Sequence, residues 1–277
     1  MTDMKLGHRL VLTVSLILAI LFTAGPVIYL VLSSFKSEVE ILSQKPTLLP
    51  GGWYLENYRQ LFEVTELVTG AKNSIITALL VTVITVLCAS YTAYMLTRAK
   101  LLGLEFASKF LLFCYALPDV ILGIGFYIVF AKVGFLDNYF SLALGQAAVT
   151  VPFGIWMLWA YFRQIPVEMD EAAIIDGANR LQVIRHVIWP IAMPGIAAVA
   201  VYSFIISWNE YTLANMLITR DDLKTLPIIM GQLVKQEGAF WGLAFSMASL
   251  SLIPATVFVF FMLKPLVSGL SVGALKG

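Results

Sequence analysis

The acidic side chains of one short polar segment are the residues whose types and spacing bear most directly on chemistry. Residues 168–177 read Glu-Met-Asp-Glu-Ala-Ala-Ile-Ile-Asp-Gly, between apolar runs long enough to cross a bilayer. Pro166 suits the first turn of a helix, where its missing N–H is not needed. Glu168, Asp170 and Glu171 follow where the helix dipole favours negative charge. Ala172 and Ala173 favour helix, and Gly177 is placed to stop it in a left-handed conformation. The prediction is a helix of roughly ten residues, too short to span a membrane. Asn179 can cap a second helix ending near Pro190. Paired alanines let another surface approach closely. Met169 and Ile174 or Ile175 offer apolar contact, and Glu171 offers one charge to fix register against an arginine on a partner. The alternative is a solvated connection stabilised by its own charges.

Little else in the chain suggests bond-making chemistry. Asp119 and Glu210 are the ionisable residues expected at membrane depth, and they come from different helices. No phosphate-cradling G-x-x-x-x-G-K-[ST] loop, H-E-x-x-H or G-x-S-x-G motif occurs. His8 and His186 are far apart and outside any metal-ligand spacing, so no metal site is expected. Cys88 and Cys114 lie inside apolar runs and read as buried thiols.

The elements that must position these residues are membrane helices. The 277 residues are 60% hydrophobic and only 13% charged. Mean hydropathy is +0.87. A soluble domain carries about 25% charge, so most of this chain cannot face water. Net charge is +1, which gives nucleic-acid binding no support. The first apolar run, 10–32, is too long for a signal peptide core and has no small-residue cleavage site after it. Further spans are expected at about 74–96, 110–131, 139–162, 193–213 and 241–263. That is an all-α protein of six spans in a single domain, with a loop over 163–190 and a tail over 264–277. With both termini cytoplasmic, ten Lys and Arg residues lie inside against eight outside, a small excess in the expected direction. The loop over 35–72 is the longest connection, with turns followed by a short amphipathic helix near Leu55–Arg59.

Asp119 follows Pro118, and a charge at depth faces protein or water. It reads either as a pathway group or as one satisfied by a neighbouring helix. Asn209 and Glu210 fall toward the outer end of their span, and with Tyr202 and Trp208 they complete a candidate set for contact with a solute. An interfacial or core role is the alternative for each.

The spacing Glu171-Ala172-Ala173, three residues, Gly177, nine residues, then Val187-Ile188-Trp189-Pro190 resembles the coupling loop of ATP-binding-cassette importer permeases. Val187 and Trp189 depart from the family's Ile and Leu. Asn57-Tyr58, Asn73-Ser74-Ile75-Ile76, 93–98, 207–211 and the tail 269–277 are similar to the carbohydrate branch. The resemblance implies a non-catalytic permease subunit of the inner membrane that moves a sugar or sugar derivative. It implies a homologous second permease, two copies of an ATPase that binds the ATP and magnesium, and an external solute-binding protein. Met169, Glu171, Ala172, Ala173, Ile174, Asp176 and Gly177 would form the ATPase contact. Gly273, Lys276 and Gly277 of the tail would reach between the ATPases. The rivals are the amino-acid or peptide branch of the same importers, a stand-alone secondary transporter, and a non-transporting sensor subunit.

Overall fold

The computed structural model describes residues 6–64, 66–99, 103–235 and 240–273. Among them the regular structure is entirely helical. Among the described residues four helices are long and apolar enough to cross a membrane. They lie within α1 (Leu6–Ser33), α4 (Leu67–Arg98), α7 (Tyr139–Phe162) and α14 (Trp241–Gly273). A fifth candidate is a broken run, Arg180–Ile191 followed by Met193–Asn209, bent by 86°. Shorter helices up to residue 175 are α2 (Glu38–Ile41), α3 (Glu56–Val64), α5 (Leu104–Tyr115), α6 (Asp119–Lys132) and α8 (Glu168–Ile175). After α8 come α9 (Arg180–Val183), α10 (Trp189–Ile191), α11 (Met193–Asn209), α12 (Thr212–Leu217) and α13 (Leu226–Lys235).

The expected six continuous spans therefore need correcting. The third apolar run is split at Ala116–Pro118 into α5 and α6. Pro118 has no N–H to donate and pushes Leu117 away from helical geometry. Its own backbone is extended, with ψ 134°, at the α6 N-cap. The fifth run ends at Asn209, where Glu210 turns to an extended conformation before α12. The second span starts earlier than expected, at Leu67, and the last helix runs on to Gly273.

The chain gathers into two compact units, residues 1–67 with 230–252 and residues 68–229 with 253–277. In the first, Asn57 pins the turn after α1 by donating to the Ser34 and Lys36 carbonyls, at 3.0 and 2.8 Å. Gly242 packs on that amide, and a Cβ there would meet Asn57 Oδ1 at 2.6 Å. The Glu38 carboxylate accepts from the Trp241 and Gly242 N–H groups, at 3.1 and 2.9 Å. It thereby satisfies orphan donors at the start of α14. Lys36 is only 2% exposed. Its ammonium donates to the Thr47 carbonyl and lies 4.8 Å from the Tyr29 ring centre. Glu40 accepts from the Thr47 hydroxyl and the Gly51 N–H, and these bonds hold its carboxyl below the usual range.

In the second unit α7 is the central element and lies against α11, α5, α12 and α6. Asn73 on α4 accepts from the Tyr139 hydroxyl at 2.6 Å and donates to the Asp222 and Lys224 carbonyls. Ser74 accepts from the Leu226 N–H at 2.8 Å. Those two side chains fix the approach to α13. Asp137, at φ 54°, accepts from Thr219 and Arg220 and anchors the loop beyond α12. Burial pushes its carboxyl up, but the Thr219 and Arg220 donors outweigh that and leave it lowered.

Three helices meet at Gly154. A Cβ there would lie 3.1 Å from Thr85 Cγ2, 3.2 Å from Val199 Cγ1 and 3.3 Å from Ala89 Cβ. Beside it, Thr85 and Thr150 share a buried hydroxyl–hydroxyl bond of 2.7 Å between α4 and α7. Gly154→Ile overfills this junction and is expected to destabilise the protein by about 1–3 kcal/mol. Gly125→Ala, which adds a methyl into open space, serves as the control. A thermal melt of the purified protein in detergent measures both; equal Tm values for Gly154→Ile and wild type would contradict the close approach.

Candidate functional site

The short acidic helix forms as α8, and one buried ion pair braces it from behind. Arg98, the last residue of α4, donates from Nε to Asp170 Oδ2 at 2.9 Å and from Nη2 to Oδ1 at 3.2 Å. The same Nη2 reaches the Ile165 carbonyl at 3.1 Å. Side-chain exposure is 8% for Arg98 and 2% for Asp170. The fork-on-carboxylate geometry fixes direction as well as distance. Ala173, one turn on, lies on the same side and packs on the apolar core around Leu158, Phe162 and Val183.

The opposite face of α8 is open. Glu171, Ala172, Met169, Ile174 and Asp176 are exposed, and Ile175 is 85% exposed. Sequence reasoning placed Met169 and Ile174 in the contact set, and the structure gives Ile175 greater prominence. It also shows that Asp170 turns inward, although its charge suits the helix N-terminus as well as that of Glu171 does. The helix ends as expected. Gly177 takes φ +89°, its N–H bonds to the Ile174 carbonyl, and the Ala178 N–H bonds to the Ala173 carbonyl.

Asn179 then opens α9 with a reciprocal capping box. Its side chain accepts from the Gln182 N–H while Gln182 accepts from the Asn179 N–H. A π-helical turn, Ile184–Ile188, carries the chain into α10. The bend at Ala192 then redirects it into α11. Ile184 and Ile188 point into the core, while Trp189 packs partly buried against it and against Tyr91 at 6.5 Å. Tryptophan at this position is thus accommodated by packing.

The residues considered for solute contact separate into two groups. Trp208 is buried, 6.1 Å from Phe204, which stacks on Phe258 at 3.9 Å. Glu210 accepts from the Leu213 and Ala214 N–H groups and from Gln146 Nε2 at 3.0 Å. Gln146 also accepts from the Ser207 hydroxyl at 2.5 Å. This carboxylate therefore caps α12 and ties it to α7. Asn209 is exposed and donates back to the Ile205 carbonyl at 2.8 Å. Asp119 and Tyr202 are the second group: Asp119 opens α6 at the break after α5, and the Tyr202 ring lies 4.6 Å from Phe153 on α7. Among the described residues no group of His, Cys, Asp and Glu is arranged to hold a metal. Gly273 is the last described residue; Lys276 and Gly277 lie outside the described residues.

Bilayer-length helices, with a braced short helix displayed on the loop between two of them, define an α-helical integral membrane protein. The chain belongs to the binding-protein-dependent transport system inner membrane component family, whose pattern matches residues 105–271. It is 29% identical to the inner membrane ABC transporter permease protein YcjP of Escherichia coli, over 100% of this chain and 99% of that one. It is 32% identical to the trehalose/maltose transport system permease protein MalG of Thermococcus litoralis, over 97% of each. The fold matches a chain in the crystal structure of a bacterial ABC transporter involved in the import of the acidic polysaccharide alginate. The TM-score is 0.76 at 22% identity, covering 95% of this chain and 99% of that one.

Removing one partner of the buried pair strands the other charge, which costs about 3–5 kcal/mol. Asp170→Ala is expected to lower the Tm and to expose 163–180 to limited proteolysis. The double variant Arg98→Met with Asp170→Leu removes both charges and should recover most of that loss. A double variant no more stable than Asp170→Ala would show that the pair is not what holds α8.

Proposed function

We propose that this chain is one permease of an ATP-driven importer of sugars or sugar derivatives. The observation that carries the reading is the displayed face of α8 in a member of this transporter family. That helix is held from behind by Arg98 and offers Glu171, Ala172 and Ile175 outward. A partner ATPase cleft would receive Met169, Glu171, Ala172, Ile174 and Ile175, with Ala173, Asp176 and Gly177 shaping the helix and its exit. Glu171 would meet an arginine of the ATPase. The tail, with Gly273, Lys276 and Gly277, would reach the same partner.

The sugar assignment follows the specificities of relatives. These include the trehalose/maltose permease already described and a maltodextrin permease of Bacillus subtilis, 28% identical over 82% of each chain. A homologous second permease completes the path, two ATPase copies bind the ATP and magnesium, and a solute-binding protein delivers substrate outside. Both termini lie on the cytoplasmic side. Closure of the ATPases moves α8, and the Arg98 pair passes that motion to α4. The path then alternates between inward and outward opening because ATP binds one arrangement of the ATPases better than the other. Asp119 and Tyr202 face this path, with Asn209 at its outer end. Trp208 and Glu210 support it from within the packing.

The complex reconstituted in lipid with its ATPase and binding protein tests this. Glu171→Ala is expected to lose both solute uptake and binding-protein-stimulated ATP hydrolysis. Ile175→Asp should in addition reduce the amount of ATPase that co-purifies. Unchanged uptake and hydrolysis in both variants would make α8 a solvated loop element and remove the basis of the assignment.

A further inference from the structure

The end of α7 next to the α8 loop carries a cation that the bracing of α8 does not use. The Arg163 guanidinium lies over the Trp159 ring, 5.2 Å from its centre. Arg163 is exposed, and among the described side chains no carboxylate pairs with it. Trp159 is also one wall of a narrow apolar crevice between α4, α5 and α7, lined by Leu96, Leu111, Pro152, Ile155, Trp156 and Trp159. Ile155 belongs to the buried core at its floor, and Leu96, Leu111 and Trp159 pack on that core. Trp156 is 42% exposed at the rim.

The crevice lies at the membrane end that carries α8. Leu96 is two residues before the end of α4, and Trp159 is three before the end of α7. Pro152 is eleven residues before Arg163. That is about 16 Å along a helix, half of the roughly 30 Å hydrocarbon thickness of a bilayer. The slot is therefore as deep as one leaflet.

Its chemistry suits a lipid. A polyhydroxylated solute would lose its hydrogen bonds there, whereas a methylene chain gains close contacts along the whole slot. A guanidinium stacked on an aromatic ring at a helix end is at headgroup depth. Its planar donors match the oxygens of a phosphate. A zwitterionic headgroup brings its own ammonium, so an unpaired arginine favours a headgroup with net negative charge.

We propose that Arg163 and the crevice behind it bind one anionic phospholipid of the leaflet on the α8 side. Its phosphate meets the guanidinium, and one acyl chain lies along Leu96, Leu111 and Trp156. The proposal stands on the membrane location of the chain and not on what the chain carries. An occupied site ties α5 to the ends of α4 and α7 from which the α8 loop is held.

Native mass spectrometry of the full chain, purified with its partner subunits, tests it. The probes are dioleoyl phosphatidylglycerol and dioleoyl phosphatidylcholine, each titrated into delipidated protein. Wild type should bind one phosphatidylglycerol more tightly than phosphatidylcholine, and excess inorganic phosphate should not displace it. Arg163→Gln should weaken that phosphatidylglycerol about tenfold and leave phosphatidylcholine unchanged, and Arg163→Lys should recover part of the loss. Leu111→Trp, which fills the slot without touching a charge, should weaken both lipids about threefold. Equal wild-type affinity for the two lipids would overturn the site, as would phosphatidylglycerol binding unchanged in Arg163→Gln or in Leu111→Trp. Displacement by inorganic phosphate would show that the guanidinium holds a free anion and would overturn it too. Less co-purifying protein partner in Arg163→Gln, with the lipid count unchanged, would assign Arg163 to a subunit contact instead.

Discussion

The Arg98–Asp170 pair is the constraint on which the rest of the loop depends. α8 has eight residues, too few to hold its shape in water on propensity alone. Asp170 is the one buried residue of that helix, so its orientation is set by a single direction-specific contact and by Ala173 on the core. The contact joins the loop to the end of a bilayer-length helix. It lies where both charges are shielded from water and little screened by salt. Its value is less in net stability, which a buried pair contributes weakly, than in removing other orientations of α8.

Polar side chains play the same part elsewhere. Asn57 and Asn73 each satisfy two backbone carbonyls at the end of a helix. Ser207 donates to the Gln146 side chain and Gln146 to the Glu210 carboxylate, a side-chain network between α7 and the start of α12. Inside a membrane protein an unpaired polar group is expensive, so where such a residue finds a partner the bond also fixes geometry. These residues set the ends of the elements, while apolar packing fills the middles.

Legibility in the sequence followed the range of the interactions. The stop at Gly177, the cap at Asn179 and the short helix between Pro166 and Gly177 depend on neighbours within a few residues, and all three were readable. Long apolar runs were readable as membrane helices, but continuity was not. Pro118 reads as a kink or as a break depending on what packs around it, and here the run divides. The Arg98–Asp170 pair joins positions 72 apart. No periodicity or motif connects them, so Asp170 read only as one more acidic residue in a helix first turn. Glu210 was legible as an acid at depth, but its engagement with α12 required the fold. Asn57 and Asn73 stood out by resemblance, and the structure supplies their physical reason.

The junction at Gly154 has a mechanical consequence. It divides α7 unequally. Eight residues separate Gly154 from Phe162 at the end nearest the α8 loop, and fifteen separate it from Tyr139 at the other. At 1.5 Å per residue the arms are about 12 and 22 Å. A backbone on which small side chains of two other helices pack directly, at Thr85, Ala89 and Val199, is where α7 translates least. A tilt about that point makes α7 a lever of unequal arms, and a displacement applied at the short arm emerges at the long arm nearly doubled and reversed in sense.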